Sequence, residues 1–211
     1  DAGYGGSKIQ SAQYTVNGGP TSSMTPSGSA ITTTAQATLN LQTGVYNICV
    51  TGTDAAGNTS APMCTLLAVY DASAGFATGG GWINSPAGAY VPDPTLTGKA
   101  NFGFVSKYQK GATIPTGDTE FQFQTAGLNF KSTSYDWLVI SGSKAQYKGS
   151  GTINGAGSYG FILTAIDGSP DKFRIKITTA GGGLVYDNQL NAPDTADPTT
   201  ALGGGSIVIH K

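Results

Sequence analysis

Almost every segment of this chain alternates apolar and polar residues with a period of two, and glycine or proline breaks the alternation about every 8 to 12 residues, the pattern of short strands in a sandwich or barrel. No stretch carries a convincing 3.6-residue helical periodicity. Composition points the same way. Gly 32, Thr 27 and Ser 18 fill over a third of the 211 residues, and charged residues make up only 11%, against about 25% in ordinary globular proteins. The chain reads as all-β.

The formal charge is −1, from 11 Lys and Arg against 12 Asp and Glu, so no basic field gathers phosphates and nucleic acid is not an expected partner. Glu120 is the only glutamate, His210 the only histidine and Arg174 the only arginine. The side chains most used for proton transfer are nearly missing, and we expect no enzyme, no catalytic residue and no cofactor. Glu120 shares one strand face with Gln122 and Gln124 above Phe121 and Phe123, a solvated face over a core rather than half of a glycosidase pair. His210 alternates with Val208 in a terminal strand and lacks an indicated triad partner. Zinc needs three or four His or Cys ligands, and the chain holds three such residues in all. Oxygen ligands for calcium exist at Asp93, Asp118 with Glu120, Asp167 with Asp171, and Asp194 with Asp197. None follows a recognised loop spacing, so turn formation is their expected role and no metal site is assigned. No apolar run approaches the ~18 residues of a membrane span, and the opening DAGYGGSKIQ has no signal-peptide pattern. Membrane insertion is not expected.

Cys49 and Cys64 lie in strand-like segments, VYNICVTGT and PMCTLLAVYD, joined by a turn-like stretch. Antiparallel partners have residue numbers of constant sum. The register that opposes the two cysteines also opposes Asp54 and Thr59, leaving Ala55–Asn58 as a loop of a common hairpin length. Turn chemistry and sulfur pairing thus favour one register, and we expect a disulfide; the alternative is two free thiols serving as small buried apolar groups. A disulfide places the protein in an oxidising compartment and stabilises the fold by about 3 kcal/mol on chain entropy. Asn58-Thr59-Ser60 on that turn is an N-glycosylation sequon, a weak signal.

Composition shifts at Asp71–Gly75, which we read as a short linker between a domain over residues 1–70 and a second over 76–211. Candidate strands of the first are IQSAQYTVN, AITTTAQATLNL, VYNICVTGT and MCTLLAVYD. Gly44–Asp71, with its Asp-Ala-Ala-Gly-Asn turn, resembles the closing hairpin of bacterial immunoglobulin-like and hyalin-repeat domains. That resemblance implies an immunoglobulin-like sandwich, which takes about seven strands in ~100 residues. Only four or five fit, so the first domain is expected to be an incomplete sandwich lacking its opening strand or strands. Either residues preceding Asp1 complete it, or a strand from another molecule does. The ending Ser206-Ile207-Val208-Ile209, after Gly203–Gly205, is a candidate donor strand and equally a candidate last strand of its own domain.

The second domain carries about ten strand-like segments, suited to a larger β-sandwich or jelly-roll-like fold. GGGWI, GKANFGFVSKY, TEFQF, SYDWLV, YKGSGTING, DKFRIKI, VYDNQ and GGGSIVIHK together resemble a domain at the C-terminal side of bacterial secreted proteins, named for following a choice-of-anchor domain. The resemblance implies export to the surface or matrix and brings no catalytic residues. Trp82 and Trp137 are candidate carbohydrate-stacking residues. Trp137 alternates with Val139 and is read as sharing a face with Tyr135, which favours core packing for it. The expectation is an extracellular, non-enzymatic structural or adhesive protein that associates with itself or with neighbouring domains of the same surface protein. The alternative is a carbohydrate-binding accessory module, with a glycan as partner.

Overall fold

The computed structural model describes residues 6–211. The chain is all-β, with two sheets and two compact units, residues 1–69 and 70–211. Tyr70 belongs with the second unit: it stacks on Tyr108 at 5.1 Å between ring centroids, and its hydroxyl donates to the Thr113 carbonyl at 3.2 Å. Asp71, first residue of the expected linker, makes an Asx turn in which Ser73 donates from both its N–H and its hydroxyl to one carboxylate oxygen.

The first unit is a five-stranded antiparallel sheet made of β1 (Ile9–Val16), β2 (Ser22–Pro26), β3 (Ala35–Gln36), β4 (Gly44–Asp54) and β5 (Met63–Val69), in the order β3-β2-β1-β4-β5. β1 and β2 are joined through Asn17 and Gly18, both at positive φ (52° and 70°), a turn that asparagine and glycine tolerate at little cost. This hairpin supplies β2, which the alternation did not single out. It also corrects the expected strand over AITTTAQATLNL: only Ala35 and Gln36 are extended and paired there. Its threonines carry high β-propensity, a preference that tertiary context overrides here.

The second unit is one nine-stranded antiparallel sheet. In chain order its strands are β6 (Phe76–Ser85), β7 (Gly98–Lys107), β8 (Thr116–Phe123), β9 (Leu128–Ser141), β10 (Lys144–Ile153), β11 (Ala156–Ile166), β12 (Lys172–Thr179), β13 (Leu184–Asp187) and β14 (Gly204–His210). They form an unbroken meander from β6 to β13, with β14 added beside β6. The sheet curls until its own inner face supplies both layers of the core. Phe102 on β7 stacks on Phe173 on β12 with centroids 4.1 Å apart, and Phe121 on β8 meets Tyr186 on β13 at 4.7 Å. Phe121, Phe123, Phe130, Tyr147, Phe173 and Tyr186 are fully buried there, alternating along their strands with outward polar residues.

Both edges of this sheet are closed by its own unit. On β14, the N–H groups of Ile207 and Ile209 donate to Asp171 Oδ2 at 2.7 Å and Asp167 Oδ2 at 3.0 Å. Along β13, the Asp187 N–H donates to the Ala89 carbonyl and the Val91 N–H to the Val185 carbonyl. Two carboxylates considered for calcium are thereby committed to an edge of the sheet.

Candidate functional site

The first unit has a sheet but almost no interior. Register places Ala12, Tyr14, Val16, Met24, Ile48, Val50, Met63 and Leu67 on one face. The other face carries Gln13, Thr15, Ser23, Asn47 and Thr51 together with Val45, Leu66, Ala68 and the Cys49–Cys64 pair. No second layer covers the apolar face among the described residues. Within Gly6–Val69, Ala12 and Asp54 alone are buried; Met63 is 79% exposed and Leu67 37%. Met24 and the segment Ala35–Thr38 line an open groove of about 610 Å³ at the β3 side.

Cys49 and Cys64 form a disulfide and are direct cross-strand partners, with Cα atoms 4.0 Å apart. The reason lies in the ladder. Asn47 turns its main chain toward β1, receiving Asn17 N–H at its carbonyl and donating its own N–H to Asn17 Oδ1, both at 2.8 Å. Cys49, two residues on, points its main chain the same way, so the Cys49–Cys64 rung is a non-hydrogen-bonded pair, the kind in which side chains come closest. Nearer the turn the register departs from expectation. Thr53, not Asp54, pairs with Thr59, and the Ser60 N–H donates to the Gly52 carbonyl. The β5 side therefore carries one extra residue beside Pro62, which cannot donate to a ladder. Asp54 is freed to organise the loop, accepting from the Asn58 side-chain amide at 2.9 Å and from the Asn58 and Ala56 N–H groups at 2.8 and 2.9 Å. The Asn58 amide foremost holds its carboxyl below the usual carboxylate range, against the opposing effect of burial.

The other residues singled out from the sequence are not brought together. Trp82 lies half-buried on the outer face of β6, against the backbone of Gly203 and Gly204, where a β-carbon would collide with the indole. The Lys99 ammonium sits 5.0 Å from its ring centroid. Trp137 is also half-buried, but a bulge at Asp136 overturns its expected alignment with Tyr135. Lys148 pairs with Trp137 while the next residue, Gly149, pairs with Tyr135, so Tyr135 points into the core and Trp137 outward. The row through Trp82 runs across Asn101 and Gln122 to Asn129, well before Trp137 on β9. The two tryptophans thus occupy different rows. Ser206–Ile209 lies in β14, paired with β6, the second of the two roles read for it.

Glu120 faces Lys131 across β8 and β9 with Nζ–Oε1 at 3.0 Å, and Asp118 stands 3.9 Å from the same ammonium. That ammonium is held above its usual pKa, first by the Glu120 hydrogen bond and then by the charges of Asp118 and Glu120. His210 stacks on Phe76 at 4.0 Å between ring centroids. Asp93 makes an Asx turn with Thr95. Asp194 and Asp197 accept from Lys176 and Lys144 at 2.7 and 2.8 Å. Among the described residues no three His, Cys, Asp or Glu side chains gather as metal ligands, and no helix is long and apolar enough to cross a membrane.

No family model, curated protein or solved structure matches this chain.

Proposed function

We propose that this protein is a non-enzymatic extracellular structural or adhesive component, a building block of a cell-surface coat or filament whose subunits join by β-strand complementation at the first unit. The observation that carries the reading is an apolar sheet face without a second layer beside an exposed apolar edge strand. Such an arrangement is a template for added strands, because main-chain hydrogen bonds and alternate buried side chains both become available. The disulfide fits an oxidising compartment. The resemblance of residues 44–71 and 76–211 to modules of exported bacterial proteins supports the same location. Electron microscopy and sedimentation of the full chain test it. Filaments or discrete oligomers that persist in denaturant too weak to unfold the second unit are expected; a clean monomer with a stable first unit would overturn the reading.

A second reading, a carbohydrate-binding accessory module, is favoured by the row of Trp82, Asn101, Gln122 and Asn129, an aromatic ring followed by three amides on adjacent strands. Retention of the full chain on insoluble cellulose or chitin, abolished by Trp82→Ala, is its expected signature. Passage of the wild-type chain through both without retention counts against it.

A further inference from the structure

The three sheet edges with a full main-chain ladder are treated differently. Those of the second unit are occupied, β14 by Asp167 and Asp171 and β13 by residues 89–91. In the first unit, β5 pairs with β4 on one side and has no partner on the other among the described residues. Two usual guards of an exposed edge, a proline and an extra residue, are confined to Pro62 and the residues just before it and do not reach into β5. Between Ala55 and Tyr70 there is no charged residue, and Met63–Val69 contains no proline.

The direction of each main-chain group on β5 follows from the ladder. The Gly52 carbonyl accepts from Ser60 on the β5 side, whereas Asn47 bonds toward β1, so even-numbered residues of β4 point toward β5 and odd-numbered residues away. Their β5 partners in hydrogen-bonded pairs are Met63, Thr65 and Leu67. Cys64, Leu66 and Ala68 therefore turn their N–H and C=O groups outward. This set is symmetric about Leu66. A second β5 laid antiparallel with Leu66 against Leu66 sets Cys64 opposite Ala68 and Ala68 opposite Cys64. Each of these three pairs is hydrogen-bonded, and every outward donor meets an acceptor. The same register sets Met63 opposite Val69 and Thr65 opposite Leu67, so the apolar face continues across the junction and the disulfide rungs share the other face. No like charges meet.

We infer that β5 is a self-pairing edge: two copies of this chain join through an antiparallel β5–β5 contact centred on Leu66, making one ten-stranded sheet with a continuous apolar face. The occupant is a second copy because the outward groups, the apolar residues and the absence of charge are complementary to themselves under a two-fold axis, the symmetry of an isologous contact. This inference rests on the reading of the first unit as an assembly module and supplies one junction of it, which closes at two copies and leaves the apolar face free for a further contact.

Sedimentation equilibrium and amide exchange on the full, oxidised chain test it. The wild-type chain sediments as two copies, with the Cys64, Leu66 and Ala68 amides protected in the dimer and fast after dilution. Leu66→Lys places two ammonium groups at the axis, and Ala68→Pro removes an outward N–H without touching β4. Each weakens the dimer at least about tenfold, while Gln36→Lys on β3 leaves it intact. Retained protection of the inward Thr65 and Leu67 amides shows that the variants remain folded. Assemblies that survive both β5 substitutions but are lost in Tyr14→Lys, on the apolar face, would overturn self-pairing and keep the assembly reading. A wild-type chain monomeric at every concentration would overturn both.

Discussion

Arg174 is the only arginine in the chain, and it is spent on structure. Its side chain and that of Asp187 are each 3% exposed; Nε meets Oδ1 at 3.0 Å and Nη2 meets Oδ2 at 2.8 Å. The remaining guanidinium donors reach the carbonyls of Pro193 and Ala192 at 2.7 and 3.0 Å, pinning the 188–201 segment to β12. Arg174→Met leaves the buried Asp187 carboxylate uncompensated, with the Gln189 N–H still donating to it, and takes the guanidinium from the Ala192 carbonyl, so it should cost about 3–5 kcal/mol of second-unit stability in urea. Arg174→Met with Asp187→Leu should cost less than either single change, because a matched apolar pair leaves no uncompensated charge. A buried hydroxyl cluster sets a second expectation. Thr119 Oγ1 lies 2.9 Å from the Tyr135 hydroxyl and 3.0 Å from that of Tyr147. Burial foremost raises the pKa of Tyr135, and that of Tyr147 well above the ordinary value of 10.0; Tyr186 is raised for the same first reason. These groups stay protonated in the folded chain where the unfolded chain ionises. Their stabilisation is therefore full below about pH 10 and is lost progressively as pH rises above it. Urea midpoints measured from pH 8 to 12 should fall only on the alkaline side, less steeply in Tyr147→Phe. The lone Arg174 was visible in the sequence, but its partner lies in another strand and the segment it pins has no periodicity, so no local pattern signalled the clamp.

At the level of strands, local rules succeeded where one face is apolar and failed where a single residue shifts the count. The Cys49–Cys64 rung was legible from sulfur pairing, although the turn length read beside it is not the observed one, since Thr53 pairs with Thr59 and an extra residue restores the cysteine register. The slip at the turn was not, because it depends on Asp54 satisfying the loop N–H groups with its carboxylate. Trp137 was misplaced for the same kind of reason: the bulge at Asp136 exchanges inward and outward for the rest of β9. The edge role of Asp167 and Asp171 was hidden because β14 meets them only after the sheet has curled. The hairpin also yields a prediction. The disulfide closes a separation of 15 residues, worth about 3 kcal/mol on chain entropy. In the paired variant Cys49→Ser with Cys64→Ser, amides of β4 and β5 should exchange about 100-fold faster, with exchange in β7–β12 unchanged. Equal acceleration in both units would show that the link does not act through the first hairpin.

Taken whole, the chain distributes its apolar burial very unevenly. The second unit closes a sheet around a core of phenylalanine, tyrosine and isoleucine, whereas the first, among its described residues, buries Ala12 and Asp54 alone and presents Met63 and Leu67 to solvent. A unit that buries so little surface offers little to offset the entropy of ordering its backbone, so its folding should be tied to whatever covers or extends it. Mass action makes this measurable, because a partner that binds only the folded form raises apparent stability with concentration. Both tryptophans, Trp82 and Trp137, lie in the second unit, so indole fluorescence follows that unit alone, while amide exchange over residues 9–69 follows the first. In urea the first unit should unfold with a shallow slope, since slope scales with area exposed. Its midpoint should climb as the chain is concentrated, while the fluorescence midpoint stays fixed. A first-unit midpoint independent of concentration would mean that the disulfide and the five-stranded ladder hold it unaided, and that the open face is a surface rather than half of a joint.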